Sequence, residues 1–103
     1  MSQLKQALPT PLNANITYTE ILIDEASYDP LARQYVAKVF GVCRNRPIPL
    51  IICNNRGVQH IDEVVITDAE IDGALEARPD LGSDRIAGAM AAALVRLYAL
   101  GRQ

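Results

Sequence analysis

From Ile16 to Asp24 the run Ile-Thr-Tyr-Thr-Glu-Ile-Leu-Ile-Asp is β-branched and aromatic, which predicts a strand. Its end, Ile21-Leu22-Ile23, is apolar on both sides, as expected inside a sheet. Further on, Leu31, Tyr35, Val36, Val39 and Phe40 fall on one face at helical spacing. Asp29 suits an N-cap, Pro30 the first helical position and Gly41 the left-handed residue past the end, so a helix is predicted over 29–41. Leu50-Ile51-Ile52-Cys53 reads as a short buried strand and Val58 to Thr67 as another. The turn residues Asn54-Asn55-Arg56-Gly57 join them into a hairpin.

Beyond Thr67 the period lengthens. Thr67 and Glu70 have the spacing of a capping box, Ile71, Ala74 and Leu75 form an apolar stripe, and Pro79 stops the helix. Ser83 is the expected cap of a last helix running to about Leu100. The predicted order is β-α-β-β-α-α, an α+β two-layer sandwich of a small, mostly antiparallel sheet with helices on one face. Residues 1–15, with Pro9, Pro11, Asn13 and Asn15, are expected to form a flexible arm, and 16–103 a single domain.

The last helix changes the picture most. Between Ile86 and Leu100 Arg96 is its only charged residue. Ile86, Met90, Leu94, Leu97 and Tyr98 make a large apolar stripe, and alanine and glycine fill the opposite face. Alanine needs no partner to be helical, so that face could simply be exposed. Gly88, Ala89, Ala92, Ala93 and Arg96 also suit close approach by another helix, either that of 68–78 or that of a second copy. Twofold dimers are the commonest assembly, so a homo-oligomer, a dimer first, is the expected partner.

Composition adds bounds. The chain has 103 residues and is 50% apolar, enough for one core. The net charge of −2 argues against generic binding to nucleic acid or anionic membrane. The charges are sorted, however. Arg33, Lys38, Arg44, Arg46, Arg56 and His60 occupy 31–61 without a single Asp or Glu, and all 12 carboxylates lie outside it. Arginine suits phosphate and carboxylate ligands, so Arg44, Arg46, Asn54, Asn55, Arg56 and His60 form an anion or nucleic-acid candidate set. The loop at 43–47 and the turn at 54–57 stand about 20 Å apart along an extended strand, so these arginines cannot converge on one phosphate. Exposed aromatics for base stacking are also missing, so nucleic acid is not the favoured partner.

The acidic residues occupy helix starts and exposed faces, where they favour the helix dipole. Asp68, Asp72 and Glu76 share a spacing but do not make a metal set, and neither metal nor cofactor is expected. Cys43 and Cys53 are too few and too far apart for a disulfide framework or a Cys-x-x-Cys pair. With His60 they are the only nucleophile and base candidates of their types, and no local signature joins them, so no catalytic residue is assigned. Met1–Gln6 lacks the apolar core of a secretory signal, which makes the cytoplasm the expected compartment. The Ile86–Leu100 run is too short to cross a bilayer. The expectation is a small soluble, self-associating binding module leaning away from catalysis. The alternatives are phosphate or nucleic-acid binding through loop arginines, and a small-molecule site or enzyme where protomers meet, near Tyr18, Tyr28 and His60.

Overall fold

Ile21 and Ile23 begin the core, and the chain around them builds the sheet outward. The computed structural model describes residues 3–7 and 18–102. Seven strands come first, β1 (Gln3–Ala7), β2 (Glu20–Asp29), β3 (Gln34–Cys43), β4 (Arg46–Ile48), β5 (Leu50–Asn54), β6 (Gly57–Ile61) and β7 (Glu63–Ile66). Two helices follow, α1 (Asp68–Ala77) and α2 (Arg85–Gly101), joined through a 3-10 turn at Pro79–Leu81. The fold is α+β, with antiparallel sheets followed by two C-terminal helices that pack on the sheet.

This order corrects the prediction of a helix over 29–41. That stretch is the end of β2, a turn and most of β3, and Leu31, which a helix would have buried, is 97% exposed. Asp29 still holds backbone amides with its side chain: its Oδ1 accepts from the N–H of Leu31 at 3.1 Å and of Ala32 at 3.4 Å. Those amides belong to a hairpin turn, not a helix start, since Asp serves both. The same residues also alternate with period two: Ala37 and Val39 are buried while Lys38 is exposed. Pairing along both edges of β3 favours the alternation over the helical spacing.

β3 is the centre of the five-stranded sheet. One edge pairs with β2, with Ile21 opposite Gly41 and Ile23 opposite Val39. The other edge is shared, β7 pairing at Tyr35–Lys38 and β4 at Gly41–Cys43. The β5–β6 hairpin, a separate two-stranded sheet, arises between those two short strands. The predicted single strand Val58–Thr67 is thus two, parted at Asp62, whose carbonyl accepts from the N–H of Val39 at 3.0 Å.

Gly41 is a strand residue whose lack of a side chain serves packing. A Cβ there would overlap the ring of Tyr18. That ring leads to a hydroxyl that donates to the carbonyl of Pro49 and accepts from the N–H of Ile51, both at 2.9 Å. Tyr18 therefore braces the start of β5 against the sheet. The core on this face gathers Ile21, Ile23, Ala37, Val39, Leu50, Ile52, Val64 and Ile66 against Ile71 of α1 and Ala89, Ala93 and Leu97 of α2.

Thr67 caps α1 in the predicted box, with its hydroxyl accepting from the N–H of Glu70 and the Glu70 carboxylate accepting from the N–H of Thr67. The cap of α2 is Asp84, one residue past the expected Ser83, with Oδ1 accepting from the N–H of Ile86 and Ala87 at 3.1 Å each. Gln3–Ala7, inside the segment expected to be an arm, forms β1 and pairs with β2. The remaining expectations for 8–15, the sequence start of the first strand at 16–17 and Asn15 lie outside the described residues. No described helix is long and apolar enough to cross a membrane.

Candidate functional site

The six residues of the basic candidate set stand in three places. Arg44 and Arg46 belong to the tight β3–β4 turn, in which Cys43 pairs with Arg46. Arg44 and Asn45, its two central residues, have φ values of 52° and 64°. Paired positive φ is the signature of the primed turns that match strand twist, and Asn tolerates it better than Arg. Asn54, Asn55 and Arg56 belong to the β5–β6 turn, where Gly57 takes φ 101°. Asn54 is committed to structure: its Nδ2 donates to the carbonyl of Leu100 at 3.0 Å and its Oδ1 accepts from the N–H of Arg56 at 2.8 Å. It ties the hairpin tip to the end of α2. His60 is exposed on β6, directly opposite Ile51.

Among the described residues Arg33, Lys38, Arg44, Arg46 and Arg56 take part in no ion pair. The arginines of the helical layer differ. Arg85 spans Asp72 and Asp68, one helical turn apart on α1, at 2.9 Å each. Asp72 first, then Asp68, holds its guanidinium more firmly protonated than usual. Arg78 pairs with Asp80 at 2.8 Å, and Arg96 reaches across to Glu70. Burial pushes the Glu70 carboxyl up, but hydrogen bonds from Arg96 and Thr67 outweigh it and leave its pKa below the ordinary value. Glu70 so joins the cap of α1 to the middle of α2.

The helix-seam candidates are covered within the chain. Gly88, Ala89, Ala92 and Ala93 are buried, and Arg96 is the partner of Glu70. A Cβ on Gly88 would come within 2.9 Å of both Ile71 and Leu75 of α1. Of the two neighbours the small residues could admit, the helix of the same chain occupies the place. On α2 the large exposed apolar residue is Val95, 63% exposed.

Tyr18, Tyr28 and His60 are not brought together. Tyr18 is buried against Gly41, and Tyr28 lies against Tyr35 with ring centroids 5.0 Å apart, at the other end of β2. Both cysteines are free and half-buried. Cys53 pairs with Val58, which makes it a diagonal neighbour of His60 on the outward face of the hairpin, with no hydrogen bond between them. Among the described residues no three His, Cys, Asp or Glu side chains converge as a metal site. A cavity of about 230 Å³ lies between Leu4 of β1 and the start of α2, lined also by Leu81, Ala87, Met90 and Ala91. Its polar groups are in use, Arg78 by Asp80 and Asp84 as the α2 cap. The Tyr98 hydroxyl is buried without a partner among the described residues, and burial raises its pKa.

One feature escaped the sequence. The N–H of Ile51 points at Tyr18, so it faces away from β6. Hydrogen-bonded and non-bonded pairs alternate along antiparallel strands, so the Ile51–His60 and Cys53–Val58 pairs are the non-bonded ones. The N–H and C=O groups of Val58 and His60 therefore point to the far edge of β6. No hydrogen bond among the described residues engages them. The bond from Ile51 to Tyr18 agrees with the two-residue turn closed by Asn54 and Gly57, which makes that closing pair a bonded one and the next a non-bonded one.

Compared with known proteins, the chain matches no family model, no curated protein and no solved structure.

Proposed function

We propose that this chain is a self-associating interaction module that works by binding rather than by catalysis, and that its working surface is the hairpin side. The observation that carries it is the open edge of β6, where Val58 and His60 direct backbone groups outward with no partner among the described residues. Natural sheets usually blunt or cover such an edge, because an open one pairs with other strands. Val58 adds an apolar side chain, 65% exposed, on the same strand. The small-residue face of α2 is already filled by α1, which moves the expected seam from the helices to the strands. The test is native mass by size-exclusion chromatography with light scattering across a wide concentration range. A mass that rises toward the dimer supports the proposal, and a monomer at every concentration overturns it.

A second reading has its own support. Arg44 lies in the two-residue β3–β4 turn and Arg46 directly follows it, and neither has a carboxylate partner among the described residues. This arrangement suits an anionic ligand, with Asn45 as an added donor. Binding of a short single-stranded oligonucleotide that weakens steeply with salt, and is lost in the Arg44→Ala, Arg46→Ala double variant, would support it. Salt-independent or absent binding would overturn it.

A further inference from the structure

The open edge of β6 is complementary to itself. If two copies of the strand run antiparallel about Gln59, Val58 of each lies opposite His60 of the other. Those are the residues whose N–H and C=O groups point outward, so each cross-chain pair exchanges both of its N–H···O bonds. Gln59 then faces Gln59 as a non-bonded pair, and the hairpins of the two copies merge into one continuous sheet. An isologous contact needs this property, that one surface fits its own rotated copy.

Charge selects the register. Just past the ends of the strand, the same alignment brings Arg56 of the turn to Asp62 of the second copy. Arg56 has no ion-pair partner among the described residues, and Asp62 and Glu63 are exposed. Sliding the copies by two residues one way sets Arg56 against His60, and the other way sets Val58 against Asp62. Only the alignment about Gln59 uses every outward backbone group and brings opposite charges together. Asp62, the first acidic residue after the basic block, would meet that block across the two chains in this register. The outward faces also join, since Ile51, Cys53, Val58 and His60 share one side of the hairpin.

We propose that β6 is a self-pairing edge strand that joins two copies of this chain antiparallel across Gln59, with Arg56 of each copy paired to Asp62 of the other. It rests on the reading of the chain as self-associating, and names the surface and register. Edge pairing supplies backbone hydrogen bonds, while the charges set alignment. A seam this short gives a concentration-dependent dimer rather than a permanent one.

The experiment uses the full chain and light-scattering mass against concentration. His60→Pro removes an outward N–H while sparing the bonds between β5 and β6, and proline is tolerated at such edge positions. It should leave the circular dichroism spectrum unchanged and abolish the dimer. Arg56→Glu should weaken dimerisation by about tenfold or more, Asp62→Arg likewise, and the double reversal should restore it. A dimer that survives both His60→Pro and the charge reversals overturns the seam while leaving self-association standing. Loss in His60→Pro with indifference to charge overturns the register. A wild-type chain that stays monomeric overturns both the seam and the self-association on which it rests, and leaves the edge to an extended segment of another protein.

Discussion

Arg85 and Arg44 show two ways of treating the same side chain. Arg85, at the start of α2, closes on two carboxylates of α1, and Arg96, about three turns along, closes on a third. Arg44 sits on a turn whose backbone has φ 52° and meets no carboxylate among the described residues, and Arg33, Arg46 and Arg56 share that condition. In the helical layer Arg78, Arg85 and Arg96 find carboxylates within the chain, and Gly88, Ala89, Ala92 and Ala93 are covered. The hairpin layer keeps charge, backbone donors and an exposed valine for something else. The carboxylates of α1 go to arginines of α2, whereas among the described residues acidic side chains reach the basic block only at Lys38, which lies opposite Asp24 on one edge of β3 and Glu63 on the other. What the fold satisfies internally is structure, and what it leaves unsatisfied on a rigid frame is where function is sought.

Filling the space above Gly41 should break the hairpin layer itself. Gly41→Val places atoms inside the Tyr18 ring and releases its grip on Pro49 and Ile51, so about 3 kcal/mol or more of stability should be lost in urea unfolding. A loss under 1 kcal/mol by the same order-of-magnitude scale would mean the brace is dispensable.

Next in size is the joint of the helical layer. Glu70→Ala removes half of the capping box and the partner of Arg96, and should destabilise by about 1–2 kcal/mol. The pH dependence has a definite sign. The folded carboxyl has a lowered pKa, so its contribution is complete above the ordinary carboxylate value and disappears as pH falls through the folded one. Glu70→Gln should flatten that acid limb of the stability profile, and an unchanged limb would assign it to other carboxylates.

Tyr98 is the exception in the helical layer. Its buried hydroxyl has no partner among the described residues, so Tyr98→Phe should raise stability by about 1 kcal/mol, read from the thermal midpoint. A drop would reveal a partner for that hydroxyl. The smallest effect falls on the open layer. Arg44→Gly relieves positive φ at the turn, offset by glycine's greater freedom in the unfolded chain, for a net gain of about 0.5 kcal/mol. Arg46→Ala, at a position without that strain, serves as the control and should shift stability less.

Much of the C-terminal half was legible. Thr67 and Glu70 announce their helix by side-chain chemistry that acts within four residues, and Pro79 ends it for the same local reason. The β5–β6 hairpin follows from Asn54 to Gly57. The failure at 29–41 is instructive because each of its cues was real. Asp29 does hold following amides, and Gly41 is indispensable where it stands, but one belongs to a turn and the other makes room for an aromatic ring. Of the candidate site, the basic block was visible as composition, whereas its division into separate turns was not. The use of Asn54 on Leu100 depends on a contact between residues 46 apart in sequence.

The sequence by itself determined the local events: the capping box of α1 and its stop before Pro79, the turn at 54–57, the segregation of charge, and an α+β composition. These depend on interactions over a few residues, which chemistry and spacing encode directly. Tertiary structure decided whether 34–43 would be strand or helix, which helix covers Gly88, which arginines find carboxylates and which edge of β6 stays open. Each of those is a competition among distant segments for the same backbone groups or the same volume, and only the folded chain determines its outcome.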